Sequence, residues 1–178
     1  MSKPTPSLLP ADATHAEAEE MKNLFFKNAR TFQDFTALTP ESMEVIYLVA
    51  YNHYNAGKYE DAEKVFRLLT TLNHFERKYW KGLAAARESL QQFEPALQCY
   101  GYLGMMDPHD PCPAFKAAQC LLALGRPKDA ESGLVAAVFN SANREEHAEL
   151  HAQAQGLLEL VQAAARTDAA PSSPPSAP

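Results

Sequence analysis

The chain is poor in cysteine. Its 178 residues contain only Cys99, Cys112 and Cys120. An odd number without C-x-x-C spacing supports neither a disulfide framework nor a zinc site, and leaves three reduced thiols packed among other elements. A basic face is missing too. Lys and Arg number 16 against 22 Asp and Glu, for a formal net charge of -6, and no Lys/Arg cluster occurs. Nucleic-acid binding needs phosphate neutralisation, which this composition does not offer, and the mild acidity favours solubility instead. No stretch reaches the roughly 18 apolar residues that a bilayer span requires, and the start MSKPTPSLLPADATHAEAEE lacks the basic, apolar, small-residue layout of a secretory signal. A cytoplasmic protein without a membrane partner is expected.

The patterns of catalysis are also absent. Gly57-Lys58 is not part of a G-x4-G-K-S/T phosphate loop, and no Ser stands in a G-x-S-x-G elbow. His147 and His151 lie four apart, but no third ligand accompanies them, and the order His-Ala-Glu-Leu-His is not the zincin H-E-x-x-H. A solvated helical face is the plainer reading. No enzyme, cofactor or metal is expected.

What the chain does contain is a period. Gly57, Gln91 and Gly125 stand 34 residues apart, as do Ala62, Ala96 and Ala130, and Phe66, Tyr100 and Leu134. This is the spacing of the tetratricopeptide helix-turn-helix repeat, whose pattern runs W-x2-L-G-x2-Y, then A-x3-F, then P. The middle repeat supplies Trp80, Leu83, Ala84 in the Gly slot, Ala96, Tyr100 and Pro108, with Arg87 where the pattern has Tyr. The Ala column lets the two helices of each pair approach closely, and the larger residue four positions on fills the space one turn later. Gly57 and Gly125 sit where the first helix must stop, a place that favours left-handed backbone. His53 occupies the slot usually given to Tyr and is expected to be packed.

The fold class is therefore all-α: three tandem tetratricopeptide repeats in a superhelix, with an N-terminal amphipathic helix and a C-terminal capping helix. Residues 1–11, with three prolines, are expected to be flexible. An N-terminal helix over 12–37 carries Met21, Leu24, Phe25, Ala29, Phe32 and Phe35 on one stripe. The repeats fill 40–142, at about 43–76, 77–110 and 111–142. Their helices are placed at about 40–56, 59–72, 77–91, 93–106, 113–124 and 127–140, with Pro40 as a first helical residue. A last helix at about 144–165, within a capping segment 143–166, presents Leu150, Ala154, Leu157, Leu158 and Val161 at core spacing. The tail 167–178, with four prolines and three serines, cannot bury enough apolar surface to order itself.

In such an array the first helix of each pair makes the concave wall. The wall positions are Glu44, Tyr47, Tyr51 and Tyr54 in repeat one, Lys78, Lys81, Ala85 and Glu88 in repeat two, and Cys112, Phe115, Gln119 and Leu122 in repeat three, with Lys116 adjacent. Tyr47, Tyr51 and Tyr54 share one helical face. They either pack against the N-terminal helix or line a groove for an extended peptide, to which they offer ring area with a hydroxyl tip. Tyr47 and Tyr51 also occupy positions where a carboxylate-gripping groove of this repeat class has Lys and Asn, which disfavours that use.

The content between the columns is more specific. The runs YLVAYNHYNAGKYEDA from Tyr47 to Ala62, LNHFERKYWKGL from Leu72 to Leu83, MMDPHDP from Met105 to Pro111, FKAAQCL from Phe115 to Leu121 and AESGL from Ala130 to Leu134 resemble, in this order, the class II chaperones of bacterial type III secretion, which guard pore-forming translocator proteins. The resemblance covers about residues 38–138. It implies a groove that holds an extended N-terminal segment of the translocator, with Tyr47, Tyr51, Tyr54, Tyr59, His74 and Phe115 among its lining, and Tyr100 and Tyr102 as further candidates or structural residues. It also implies that the segment before the repeats pairs two chains, a role the stripe Met21, Leu24, Phe25, Phe32 and Phe35 suits. This chain departs from the family at Lys81, usually apolar, at Lys116, often His, and at Gln119, often Glu, so a more basic groove floor is expected. The alternatives are a generic repeat adaptor, or a chaperone that also partners a transcription activator.

Overall fold

The computed structural model describes residues 31–169. Among the described residues seven α-helices follow one another: α1 Pro40–Asn55, α2 Tyr59–Leu72, α3 Arg77–Ser89, α4 Phe93–Met106, α5 Pro111–Ala123, α6 Pro127–Ser141 and α7 Ala148–Ala169. Each packs chiefly on its neighbours in sequence, as a solenoid requires. The pairs α1/α2, α3/α4 and α5/α6 are the three repeats, and α7 covers the end of the stack.

The columns do what their chemistry dictates. Ala62, Ala96 and Ala130 are each 0% exposed, and Phe66, Tyr100 and Leu134 are buried beside them. The turn column has φ of +73° at Gly57, +58° at Gln91 and +71° at Gly125. At each turn an N–H reaches back five residues to a carbonyl: Lys58 to His53 at 2.9 Å, Gln92 to Arg87 at 2.8 Å and Arg126 to Leu121 at 2.9 Å. This closes the helix end with one left-handed residue. Gln91 adopts it despite its Cβ, which is why α3 ends at Ser89 and not at Gln91.

Helix starts are capped by side chains. The Ser42 N–H donates to Thr39 Oγ1 at 3.2 Å, with Pro40 first in α1. Asp110 Oδ1 accepts from the Cys112 N–H at 2.9 Å, so α5 begins at Pro111, two residues before the expected Pro113.

Arg87, the residue that breaks the repeat pattern, has its own function in the fold. Its guanidinium donates to Glu63 Oε1 on α2 at 3.2 and 3.3 Å, and to the Pro95 carbonyl and Cys99 Sγ, each at 3.2 Å, at and within α4. An ion pair mostly withdrawn from solvent thus replaces the ring that usually fills this corner.

Two core clusters result, one spanning repeats one and two and reaching Cys120 of repeat three, the other joining repeat three to α7, with Leu97 touching both. Ala154 and Val161 of α7 are buried in the second, and Leu150, Leu157 and Leu158 pack against it.

Two further expectations need correction. The N-terminal helix does not run to Ala37. Thr31 is extended, Phe32–Phe35 is a 3-10 turn and Thr36 is extended again. Local hydrogen bonds outcompete the helix here: the Thr31 N–H donates to Asp34 Oδ2 at 2.6 Å, and Thr36 Oγ1 donates to the Gln33 carbonyl at 2.8 Å. The last helix begins at Ala148, after a 3-10 turn at Glu145–His147, and continues to Ala169, beyond the boundary at 165. The expected helix over 12–30, with Met21, Leu24 and Phe25, and the tail over 170–178 lie outside the described residues.

Candidate functional site

The concave wall consists of α1, α3 and α5. At its first-repeat end is a pocket of about 180 Å³, formed by Tyr47, Tyr51, Tyr54 and Phe66, and by Lys78, Lys81, Gly82 and Ala85 of α3. Aromatic contacts fix the rings. Tyr47 stacks on Tyr51 with centroids 6.3 Å apart, meets Phe66 edge-on at 5.9 Å and leans on Tyr79 at 5.9 Å. Tyr54 meets Tyr59 edge-on at 5.3 Å. Tyr47 and Tyr54 therefore have one side in the core and the other on the pocket, while Tyr51 is 47% exposed. The core contacts are with Phe66, Tyr79 and Tyr59 of the repeats, while the expected packing on the N-terminal helix lies outside the described residues.

The floor depends on a glycine that the sequence reading passed over. A Cβ on Gly82 would collide with the Phe66 ring, so the absence of a side chain lets Phe66 lie under the pocket.

Charge is arranged around this apolar floor. Lys78 forms an ion pair with Glu44, its equivalent one repeat earlier, and places Nζ 4.9 Å from the Tyr47 ring centre. The hydrogen bond to Glu44 holds the Lys78 ammonium above its ordinary pKa. Lys81 borders the tyrosine pocket and also a polar pocket of about 290 Å³ lined by Asp107, His109, Asp110, Cys112, Arg144 and His147. Lys116 on α5 lies 3.6 Å from Glu88 on α3. Glu88 in turn accepts from the Tyr100 hydroxyl at 2.6 Å, and burial, reinforced by this carboxylate, pushes the Tyr100 pKa strongly up.

The remaining sequence candidates spread out. Phe115 is 5% exposed and packs in the second core cluster, while Cys112, Lys116, Gln119 and Leu122 of α5 are only partly buried. Tyr59 supports Tyr54 from behind. His74 sits at the turn between repeats, with its ring against Phe75 and its carbonyl accepting from Trp80 Nε1 at 2.8 Å. Tyr100 is a core residue, and Tyr102 leans on Trp80 at 4.5 Å, in a cleft of about 650 Å³ between α2 and α4. Phe32 is 61% exposed. His151 Nδ1 is 2.9 Å from Ser141 Oγ. Among the described residues no group of three or more His, Cys, Asp or Glu could hold a metal ion, and no helix is long and apolar enough to cross a membrane. All three cysteines are free thiols.

Known proteins share this arrangement. A tetratricopeptide repeat family model matches residues 43–74. The low calcium response locus protein H of Yersinia pestis is 36% identical over 137 residues, or 77% of this chain and 82% of that protein. The Yersinia enterocolitica type III secretion translocator chaperone SycD, solved with a peptide of the translocator YopD, is 37% identical and superimposes with a TM-score of 0.69 over 73% of this chain and 99% of that one. The chain belongs to the type III secretion translocator chaperones. A further member, PcrH of Pseudomonas aeruginosa in complex with the chaperone binding region of PopD, is 40% identical with a TM-score of 0.68, covering 72% of this chain and 97% of PcrH.

Within this translocator chaperone, some site residues were detectable from periodicity and others were not. Glu44 and Lys78 pair because they are one repeat apart, a signal available in the sequence. Gly82 and Phe66 come together through packing between repeats, which no spacing rule announces.

Proposed function

We propose that this protein is a cytoplasmic chaperone for pore-forming translocators of type III secretion. Its concave groove holds an extended segment from the client's N-terminal region, with an apolar side chain seated in the pocket of Tyr47, Tyr51 and Tyr54. The carrying observation is that pocket: aromatic walls fixed by core contacts, open to the concave face, in a fold whose relatives have been solved with client segments. A pre-formed, mostly apolar pocket with polar groups at its edge suits a short segment bound without large rearrangement. Binding covers membrane-seeking surface and works by mass action, with no nucleotide or metal required.

Tyr59 and His74 support the groove from behind and from the repeat junction, while Lys81, Lys116 and Gln119 form its polar edge. Phe115 anchors α5 from within. A second copy of the chain pairs through the segment 12–37, a reading the exposure of Phe32 supports.

Co-expression with the two translocators of the same secretion locus tests the proposal. At least one should co-purify and gain solubility, and Ala85→Phe, which fills the pocket, should weaken capture by more than about tenfold with the helical circular dichroism unchanged. Capture of neither translocator by the unaltered protein defeats the proposal.

A further inference from the structure

Three lysines face the groove, and they are not equally engaged. Lys78 is committed to Glu44. Lys81 and Lys116 each lie near a carboxylate that has a closer donor. Asp110, 3.9 Å from Lys81 Nζ, takes Arg77 Nη2 at 2.6 Å on one oxygen and the Cys112 N–H at 2.9 Å on the other. Glu88, 3.6 Å from Lys116 Nζ, takes the Tyr100 hydroxyl at 2.6 Å. The side chains of Lys81 and Lys116 remain 54% and 44% exposed. Lys81 and Cys112 line the same pocket, and Lys116 follows Cys112 by four residues on one face of α5, which brings both lysines to the same part of the wall. Lys81 also borders the tyrosine pocket, so this cationic point adjoins the apolar one.

Resting on the groove reading above, we infer that the site selects an acidic residue: an extended client segment whose apolar side chain enters the tyrosine pocket and whose Asp or Glu, on the same side of the strand, meets Lys81 and Lys116. Alternate side chains of an extended segment share a face, so the acidic residue stands two positions from the anchor. A carboxylate there gains two loosely held cations without breaking the closer contacts of Asp110 and Glu88. Partly exposed pairs of this kind set specificity and on-rate more than bulk affinity.

The probe is an array of synthetic nonapeptides with a central Leu in an Ala background, in which each flanking position is changed in turn to Asp, Asn or Lys. With the full chain, Asp two residues from Leu should bind roughly three- to tenfold tighter than Asn, and Lys weaker than either. The Asp advantage should shrink as salt rises from about 50 to 500 mM. In Lys81→Met with Lys116→Met the ratio of Asp to Asn binding, read within that variant, should fall to about one. A bound Asp peptide should also slow alkylation of Cys112. Peptides that bind equally well with Asp, Asn and Lys overturn this inference and leave the chaperone reading standing, as does an Asp preference that survives the double Met variant. An array on which no peptide binds, Leu-anchored or otherwise, removes the groove reading and this inference together.

Discussion

The ring of Phe66 on α2 occupies the space that a Cβ on Gly82 of α3 would require. The same ring is the floor of the tyrosine pocket, so one missing side chain sets both the packing of two repeats and the depth of the candidate site. Gly82→Ala should displace Phe66, which is 2% exposed and meets the Tyr47 ring at 5.9 Å. We expect a loss of about 1–3 kcal/mol in unfolding free energy, typical of overpacking, accompanied by weaker client capture. Urea denaturation beside a pull-down measures both. Unchanged stability in the Ala variant means that the ring is not confined as described.

The pair Glu63 and Arg87 offers a second test. Their side chains are 11% and 16% exposed, and they link α2 to α3 while Arg87 also reaches α4. Glu63→Ala should cost about 2 kcal/mol, because it leaves a guanidinium largely withdrawn from water with fewer acceptors. A double-mutant cycle with Arg87→Met should show a coupling of about 1 kcal/mol or more. Additive effects would mean that the two side chains act independently.

How much of this was legible beforehand depends on range. The turn column, the Ala column and the large-residue column appear at their expected positions because each is a local demand repeated every 34 residues. The tyrosine face was legible for the same reason, since i, i+4 and i+7 on one helix point one way. Phe115 shows the limit: its wall position follows from helix phase, yet it is 5% exposed within the cluster that joins repeat three to α7, a tertiary fact outside the repeat. Thr31 and Thr36 show another. A continuous apolar stripe suggested helix, and short side-chain hydrogen bonds to the backbone ended it. Arg87 looked like a defect in the pattern and is a three-way tie.

Gln91 carries a penalty that its neighbours avoid. It holds φ of +58° where the other two repeats use glycine. Gln91→Gly should stabilise the protein by about 1 kcal/mol, the relief of left-handed strain less the added freedom of the unfolded chain. Thermal unfolding reads the result, and a lowered midpoint would show that the Gln91 side chain contributes more than its backbone costs.

Alkaline pH should loosen the structure through its buried thiols. Burial pushes the Cys120 thiol up to about 11, with Glu88 adding to the effect, and burial raises Cys99 as well despite its Arg87 neighbour. A raised pKa means that the folded state favours the neutral thiol. The stability this gives is fully present below the ordinary thiol range, near 9, and is lost as pH climbs through about 11. The urea midpoint should therefore fall between those values, and Cys120→Ala should flatten part of the slope. At pH 8 only about one Cys120 in a thousand is thiolate by the same shift, so thiol reagents should modify the half-buried Cys112 first and reach Cys120 on the timescale of opening. Native Cys120 reacting as fast as it does in denatured protein would show that the thiol is not held neutral inside the repeat stack.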